Sequence, residues 1–185
     1  MLKKTPKFEF AVIASGPDPE QDVTLDRFHE AGCDDATIAF QNGRFVVAFT
    51  REAATFEEAV ASAVADVARA GAKVERIEPD PLVSLADMAA RTGMSRAAMT
   101  NYFKGHRAEA FPPPVAKVTS ESPLWDWATV ARWMFEHRRI ERYAAIQADI
   151  VREANAAIAE GNMRIAARLK TRARRVAEEL GKGGA

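Results

Sequence analysis

The chain has one cysteine, three histidines, no net charge and no apolar run long enough to cross a bilayer. With Cys33 alone no intrachain disulfide can form, and a reducing compartment fits. Asp34 and Asp35 follow Cys33, but His29, His106 and His137 are too scattered for ligand spacing. Neither a metal centre nor an assembled set of nucleophile, base and acid is therefore expected. A phosphate-cradling loop is missing too, because Ser15-Gly16-Pro17 has neither the glycine spacing nor the Lys-Ser/Thr pair. Met1-Leu2-Lys3-Lys4 is broken too soon, by Pro6 and Glu9, to open a secretory signal. These absences predict a cytoplasmic protein that is not an enzyme and needs no cofactor.

The zero charge balance at first argues against a nucleic-acid partner, but the charges are unevenly spread. Through Asp80, nine Lys/Arg face fifteen Asp/Glu, net −6. From Pro81 to Ile140 eight face five, net +3, and from Glu141 onward nine face six, again +3. An acidic front and a basic back suit a binding module joined to a separate domain.

The front reads as alternating strands and helices. Phe8 to Ile13 is rich in β-formers and ends at Ser15-Gly16-Pro17-Asp18-Pro19. Leu25 and Phe28 suggest a short helix closed by Gly32. Ala36 to Phe40 and Phe45 to Thr50 flank Asn42-Gly43, a pair suited to a type I′ hairpin turn. Thr55-Phe56-Glu57-Glu58 has the form of a capping box, opening a helix that buries Phe56, Ala59, Val60, Ala63, Val64 and Val67. Lys73 to Ile77 is a last strand. This βαββαβ order over residues 1–79 resembles a ferredoxin-like domain, a fold with many unrelated uses. Phe8, Phe10, Phe45 and Phe49 alternate as an RNA-binding sheet would require, yet the domain is acidic and the same residues suit a core.

The stretch Ser84 to Gly105, SLADMAARTGMSRAAMTNYFKG, reads as two short helices and a tight turn. Ser84 and Ser95 are N-caps, Gly93 supplies the left-handed exit, and Gly105 stops the second helix. Leu85, Met88 and Ala89, then Ala98, Met99, Tyr102 and Phe103, are the expected inward residues. Ala89, Gly93 and Met99 stand at the spacing of a helix-turn-helix. Arg96, Ala97, Thr100, Asn101 and Lys104 turn outward. Arg and Asn can pair bidentately with guanine and adenine edges, and Lys reaches phosphate. An ordinary helical hairpin with a solvated polar face would share the same pattern.

Beyond Gly105, Pro112-Pro113-Pro114 is a stiff extended step. Val115 to Val118 and Pro123 to Trp125 are the two arms of a hairpin, and Asp126 caps a helix bearing Trp127, Val130, Trp133 and Met134. With these parts, residues 82–135 resemble winged helix-turn-helix proteins of the MerR and excisionase type, particularly the small AlpA-like regulators. The resemblance implies double-stranded DNA as partner. Arg96, Ala97, Thr100 and Asn101 would touch base edges, while Ser95, Lys104, Arg107 and Lys117 would hold the backbone. MerR-type metal sensing through cysteines is not carried over, since Cys33 stands alone and far upstream.

The winged segment is expected over residues 80–137, two C-terminal amphipathic helices over 138–180, and a frayed tail over 181–185. Trp127 is expected to begin a helix continuing well past His137, with Ile140, Tyr143, Ile146, Ile150, Ala154 and Ile158 as its stripe until Gly161-Asn162. Ile165, Leu169, Ala173, Val176 and Leu180 form a second stripe. The helices can pack on each other or on the helix-turn-helix, or form a homodimer interface as the long helix after the wing does in MerR-type proteins. Arg164, Arg168, Lys170, Arg172, Arg174 and Arg175 make either a solvated face or a grip for phosphate or an acidic partner. The reading as a whole is an α+β chain: a ferredoxin-like βαββαβ domain, a central winged helix-turn-helix and a C-terminal helical hairpin. It acts as a dimeric, sequence-specific DNA-binding regulator; the alternative is an interaction protein, such as an autoregulating antitoxin, that binds a second protein.

Overall fold

The computed structural model describes residues 5–21, 23–105 and 110–182. The fold is mixed α and β, and it divides into two compact units. One takes Met1–Pro79 with Ile150–Arg174, the other Asp80–Asp149 with Arg175–Ala185.

In the first unit, β1 (Lys7–Ser15), β2 (Ala36–Gln41), β3 (Arg44–Glu52) and β4 (Lys73–Glu78) form one sheet in the order β2-β3-β1-β4. Every neighbouring pair is antiparallel. Asn42 and Gly43 turn between β2 and β3 at φ 52° and 75°, as a type I′ turn requires. Alternation along β1 and β3 sends Phe8, Phe10, Phe45, Val47 and Phe49 inward. They meet helix α2 (Phe56–Arg69), whose six expected residues are all buried. Phe56 meets Phe8 and Phe10 edge-on, each at 5.8 Å, and each buried ring contributes about 1.5–3 kcal/mol. The phenylalanines are core, so this face of the sheet offers no stacking platform. Thr55 caps α2 by accepting the Glu58 amide at 3.4 Å. Helix α1 (Val23–Glu30) departs from expectation: it buries Thr24 and Phe28 at a four-residue spacing and leaves Leu25 exposed.

Arg51 is buried one strand alternation beyond Phe49. Its guanidinium donates to both Asp35 carboxylate oxygens at 2.9 Å, to Asp66 at 2.7 Å, to Ser62 Oγ at 3.0 Å and to the Gly32 carbonyl at 2.7 Å. Burial alone would pull it toward neutrality, but the bonds to Asp35 and Asp66 outweigh that and keep it charged. Beside this cluster Cys33 is buried, and its thiol is pushed up to about 11, by burial first and by Asp66 next. It is therefore a packing residue with very little thiolate at neutral pH.

In the second unit, β5 (Leu82–Val83) leads into helices α3 (Leu85–Thr92) and α4 (Arg96–Phe103). After them come β6 (Trp125–Asp126) and α5 (Trp127–Glu136). Val83, Met88, Met99, Tyr102, Trp125, Val130, Trp133 and Met134 share its core. The expected hairpin is reduced. Ala116 and Leu124 make a single antiparallel bridge, while β6 pairs with β5 instead. Trp125 is fully buried, and seating it beside Val83 takes the strand away from its sequence neighbour.

The expected long helix also breaks. α5 stops at Glu136, Arg138 turns at φ 55°, and α6 (Arg142–Ala159) begins afresh. The amides of Arg138 and Arg139 bond back to Phe135 and Met134, each at 2.8 Å, which closes the end of α5. The His137 ring stacks on Trp133 at 3.9 Å. α6 and α7 (Ala166–Lys182) each contribute residues to both units. Ile150, Ala154, Ile158, Ile165, Leu169, Ala173, Val176 and Leu180 are buried in the single chain, while Tyr143 of the same stripe stands 48% exposed and Ile140 and Ile146 are half-buried. Part of the basic run is paired internally: Arg168 meets Glu153 and Glu160 at 2.5 Å, and Arg175 meets Glu179 at 3.0 Å. No described helix is long and apolar enough to cross a membrane.

Candidate nucleic-acid interface

The helix pair is fixed by short-range chemistry. Ser84 Oγ accepts the Asp87 amide at 3.2 Å, while the Asp87 carboxylate accepts the Ser84 amide at 2.8 Å and its hydroxyl at 2.7 Å. Two orphan donors of the first turn are thereby satisfied. The same bonds hold the Asp87 carboxyl below the usual carboxylate range. Met88 and Ala89 are buried beneath α3, and Gly93 leaves it at φ 69°. Ser95 Oγ then accepts the Ala98 amide at 3.1 Å to start α4.

α4 buries Ala98, Met99 and Tyr102. The ring of Tyr102 meets Trp133 edge-on at 5.5 Å. Phe103, expected inside, is 40% exposed and rests one ring edge on Trp125 at 5.1 Å. The opposite side of the helix carries the residues expected to read DNA. Arg96, Ala97 and Lys104 are exposed, and Thr100 and Asn101 are half-buried. The Thr100 hydroxyl donates to the Arg96 carbonyl at 3.0 Å, so toward a base it can only accept.

The segment after the prolines closes on its own base. The amides of Val115 and Ala116 both reach the Leu124 carbonyl, at 2.8 and 3.1 Å, and the Leu124 amide returns to Ala116 at 2.9 Å. Trp125 Nε1 donates to the Pro112 carbonyl at 3.0 Å, tying the proline step to the core. Lys117 is exposed at the far end and takes φ 48°. Val115 and Val118 stand 58% and 63% exposed on the same loop.

An open pocket of about 230 Å³ joins these parts; Ser84, Arg96, Thr100, Glu121, Ser122 and Trp125 are among its lining. Two of the expected base-reading residues, Arg96 and Thr100, therefore share one concavity with the loop. Ala97, Asn101, Ser95, Lys104 and Lys117 are not part of that lining. Arg107 lies outside the described residues. Glu121 was not legible as a site residue, because a lone acid in Thr119-Ser120-Glu121-Ser122 reads as an ordinary turn; here it joins Arg96 and Thr100 in the lining of one concavity. Among the described residues no cluster of three or more His, Cys, Asp or Glu could hold a metal ion.

No protein-family model matches the chain, and no characterised protein or solved structure proved similar to it.

Proposed function

We propose that this chain is a sequence-specific DNA-binding regulator that lays α4 in the major groove. A single observation carries the reading. α4 is anchored by Ala98, Met99 and Tyr102 and keeps Arg96, Ala97, Thr100, Asn101 and Lys104 unburied on one outer side. That is the arrangement a recognition helix needs, with base-reading groups on a rigid element behind a capped turn. The Ser84 cap, the left-handed Gly93 and the Ser95 cap support the helix-turn-helix assignment. The loop closed at Ala116 and Leu124 supports a short wing carrying Lys117. The β2-β3-β1-β4 order with a βαββαβ chain path supports a ferredoxin-like first unit. In this reading Arg96 and Asn101 bond base edges, Ala97 offers a methyl, Thr100 accepts, and Ser95, Lys104, Arg107 and Lys117 meet phosphates.

Selection of binding sites from random duplexes, followed by titrations across salt concentrations, tests the proposal. Arg96→Ala or Asn101→Ala should cost about 1–3 kcal/mol and relax preference at one base. Lys117→Ala should weaken all duplexes alike and reduce the salt slope by about one. Failure to enrich any sequence, or full affinity in both base-contact variants, would overturn it. A homodimer bound to DNA would protect half-sites about 34 Å apart.

A further inference from the structure

The sheet of the first unit ends on two edges of different chemistry. β4 carries Lys73, Glu75, Arg76 and Glu78. Asn155 also covers it: its Oδ1 accepts the Ile77 amide at 2.7 Å, and its Nδ2 donates to the Ile77 carbonyl at 3.1 Å. Charge and a covering amide both close an edge to further strands. β2 has neither. Its sequence Ala36-Thr37-Ile38-Ala39-Phe40-Gln41 contains no charge and no proline, and among the described residues no strand lies beyond it. Phe40 is 47% exposed, although its ring meets Phe45 at 5.0 Å.

Hydrogen-bond parity shows what this edge offers. The Thr50 amide donates to the Asp35 carbonyl at 3.0 Å, and Asp35 lies two residues before Thr37 in the same alternation. Thr37, Ala39 and Gln41 therefore bond toward β3, while Ile38 and Phe40 direct their amides and carbonyls outward. An uncharged strand with outward main-chain groups and a half-exposed ring is a template for another strand.

We propose that β2 is the interface for a second copy of this chain, paired antiparallel across a twofold axis. The charges around the edge favour this occupant. Exposed Asp34 precedes the strand and exposed Arg44 follows its turn. Antiparallel mating sets the acidic entry of each strand at the hairpin end of the other, whereas parallel mating would set like ends together. With Ala39 on the axis, Ile38 of each copy lies opposite Phe40 of the other, giving the exposed ring an apolar cross-strand neighbour twice over. The eight strands then form one continuous sheet.

Sedimentation equilibrium of the full chain, over a concentration series reaching about 200 µM, reads the association. A reversible dimer is expected. Ile38→Pro removes an outward amide without touching the ladder to β3, and Phe40→Lys sets two cations near the axis. Each should weaken the dimer at least tenfold while leaving the circular dichroism spectrum unchanged; if the proline variant fails to fold, the lysine variant decides. A chain that stays monomeric throughout, or a dimer that survives Phe40→Lys, would overturn the proposal.

Discussion

The Arg51 cluster of the first unit and the helix pair of the second are held by polar bonds of different reach. In the first, Arg51 gathers Gly32, Asp35, Ser62 and Asp66, contributed by stretches 11 to 19 residues away on different elements. In the second, the helix pair is organised by bonds spanning three residues, Ser84 with Asp87 and Ser95 with Ala98, and Asp126 with Thr129 starts α5 in the same way. A framework of the first kind forms only when the tertiary structure forms. The second kind biases the chain before anything packs, and suits a short helix that must hold exposed groups in register.

The contrast breaks most visibly at Arg51. Arg51→Met should destabilise the first unit by about 3–5 kcal/mol, because Asp35 would lose its cation and the more deeply buried Asp66 would keep only the exposed Arg69. Arg51→Lys should recover little, since an ammonium cannot match the planar fork that spans both carboxylates. Denaturant melts followed by far-ultraviolet circular dichroism would measure the loss. Trp125, Trp127 and Trp133 all belong to the second unit, so tryptophan fluorescence follows that unit separately. A fluorescence midpoint that shifts less than the dichroism midpoint is the expected result. Equal shifts would mean that the Arg51 cluster supports more than its own unit.

The same difference in reach explains what could be read without coordinates. Ser84, Gly93, Ser95, Asp126 and the Asn42-Gly43 turn act on residues a few positions away, and each lies where its chemistry requires. The inner face of α2 followed from spacing alone. Arg51 did carry a signal: it is two residues past Phe49 in a strand that buries every second residue. An arginine at such a position reads as solvated until Asp35 and Asp66 are known to converge on it. The break after Glu136 had no glycine or proline to announce it, and Arg138 adopts a left-handed backbone that arginine seldom takes. The pairing of Leu82–Val83 with Trp125–Asp126 was hidden for another reason, since a two-residue strand has no period to detect. On α4, outward residues were legible from helical spacing, whereas the sharing of one concavity by Glu121 and Arg96 depended on the fold of a distant loop.

A smaller effect sharpens the comparison from the side of the helix pair. A Cβ at Gly93 would meet nothing within 4 Å, so Gly93→Ala tests backbone conformation alone. The cost should be about 1–2 kcal/mol, from holding alanine at positive φ. Gly93→Asn should cost less, because asparagine tolerates the left-handed region better. Thermal melts read by tryptophan fluorescence would rank the three chains. Equal midpoints for alanine and glycine would show that the turn can relax, and the notion of a rigid, locally specified helix pair would fail.

The smallest effect concerns pH. The Asp87 carboxyl lies below its ordinary range because the Ser84 hydroxyl and amide both donate to it. A depressed folded-state pKa means that the charged form stabilises the fold above the ordinary value, about 3.9, and that this contribution is lost as pH falls through the lower folded value. Asp87→Asn removes the titration but keeps the size of the side chain. At neutral pH the variant should be less stable by about 0.5 kcal/mol, a modest figure because the box is solvent-exposed and screened. As pH falls through that lower folded value the difference should vanish, since both chains then carry a neutral group at this position. A difference that persists undiminished into acid would assign the effect to shape rather than charge, and the capping bond would lose its electrostatic account.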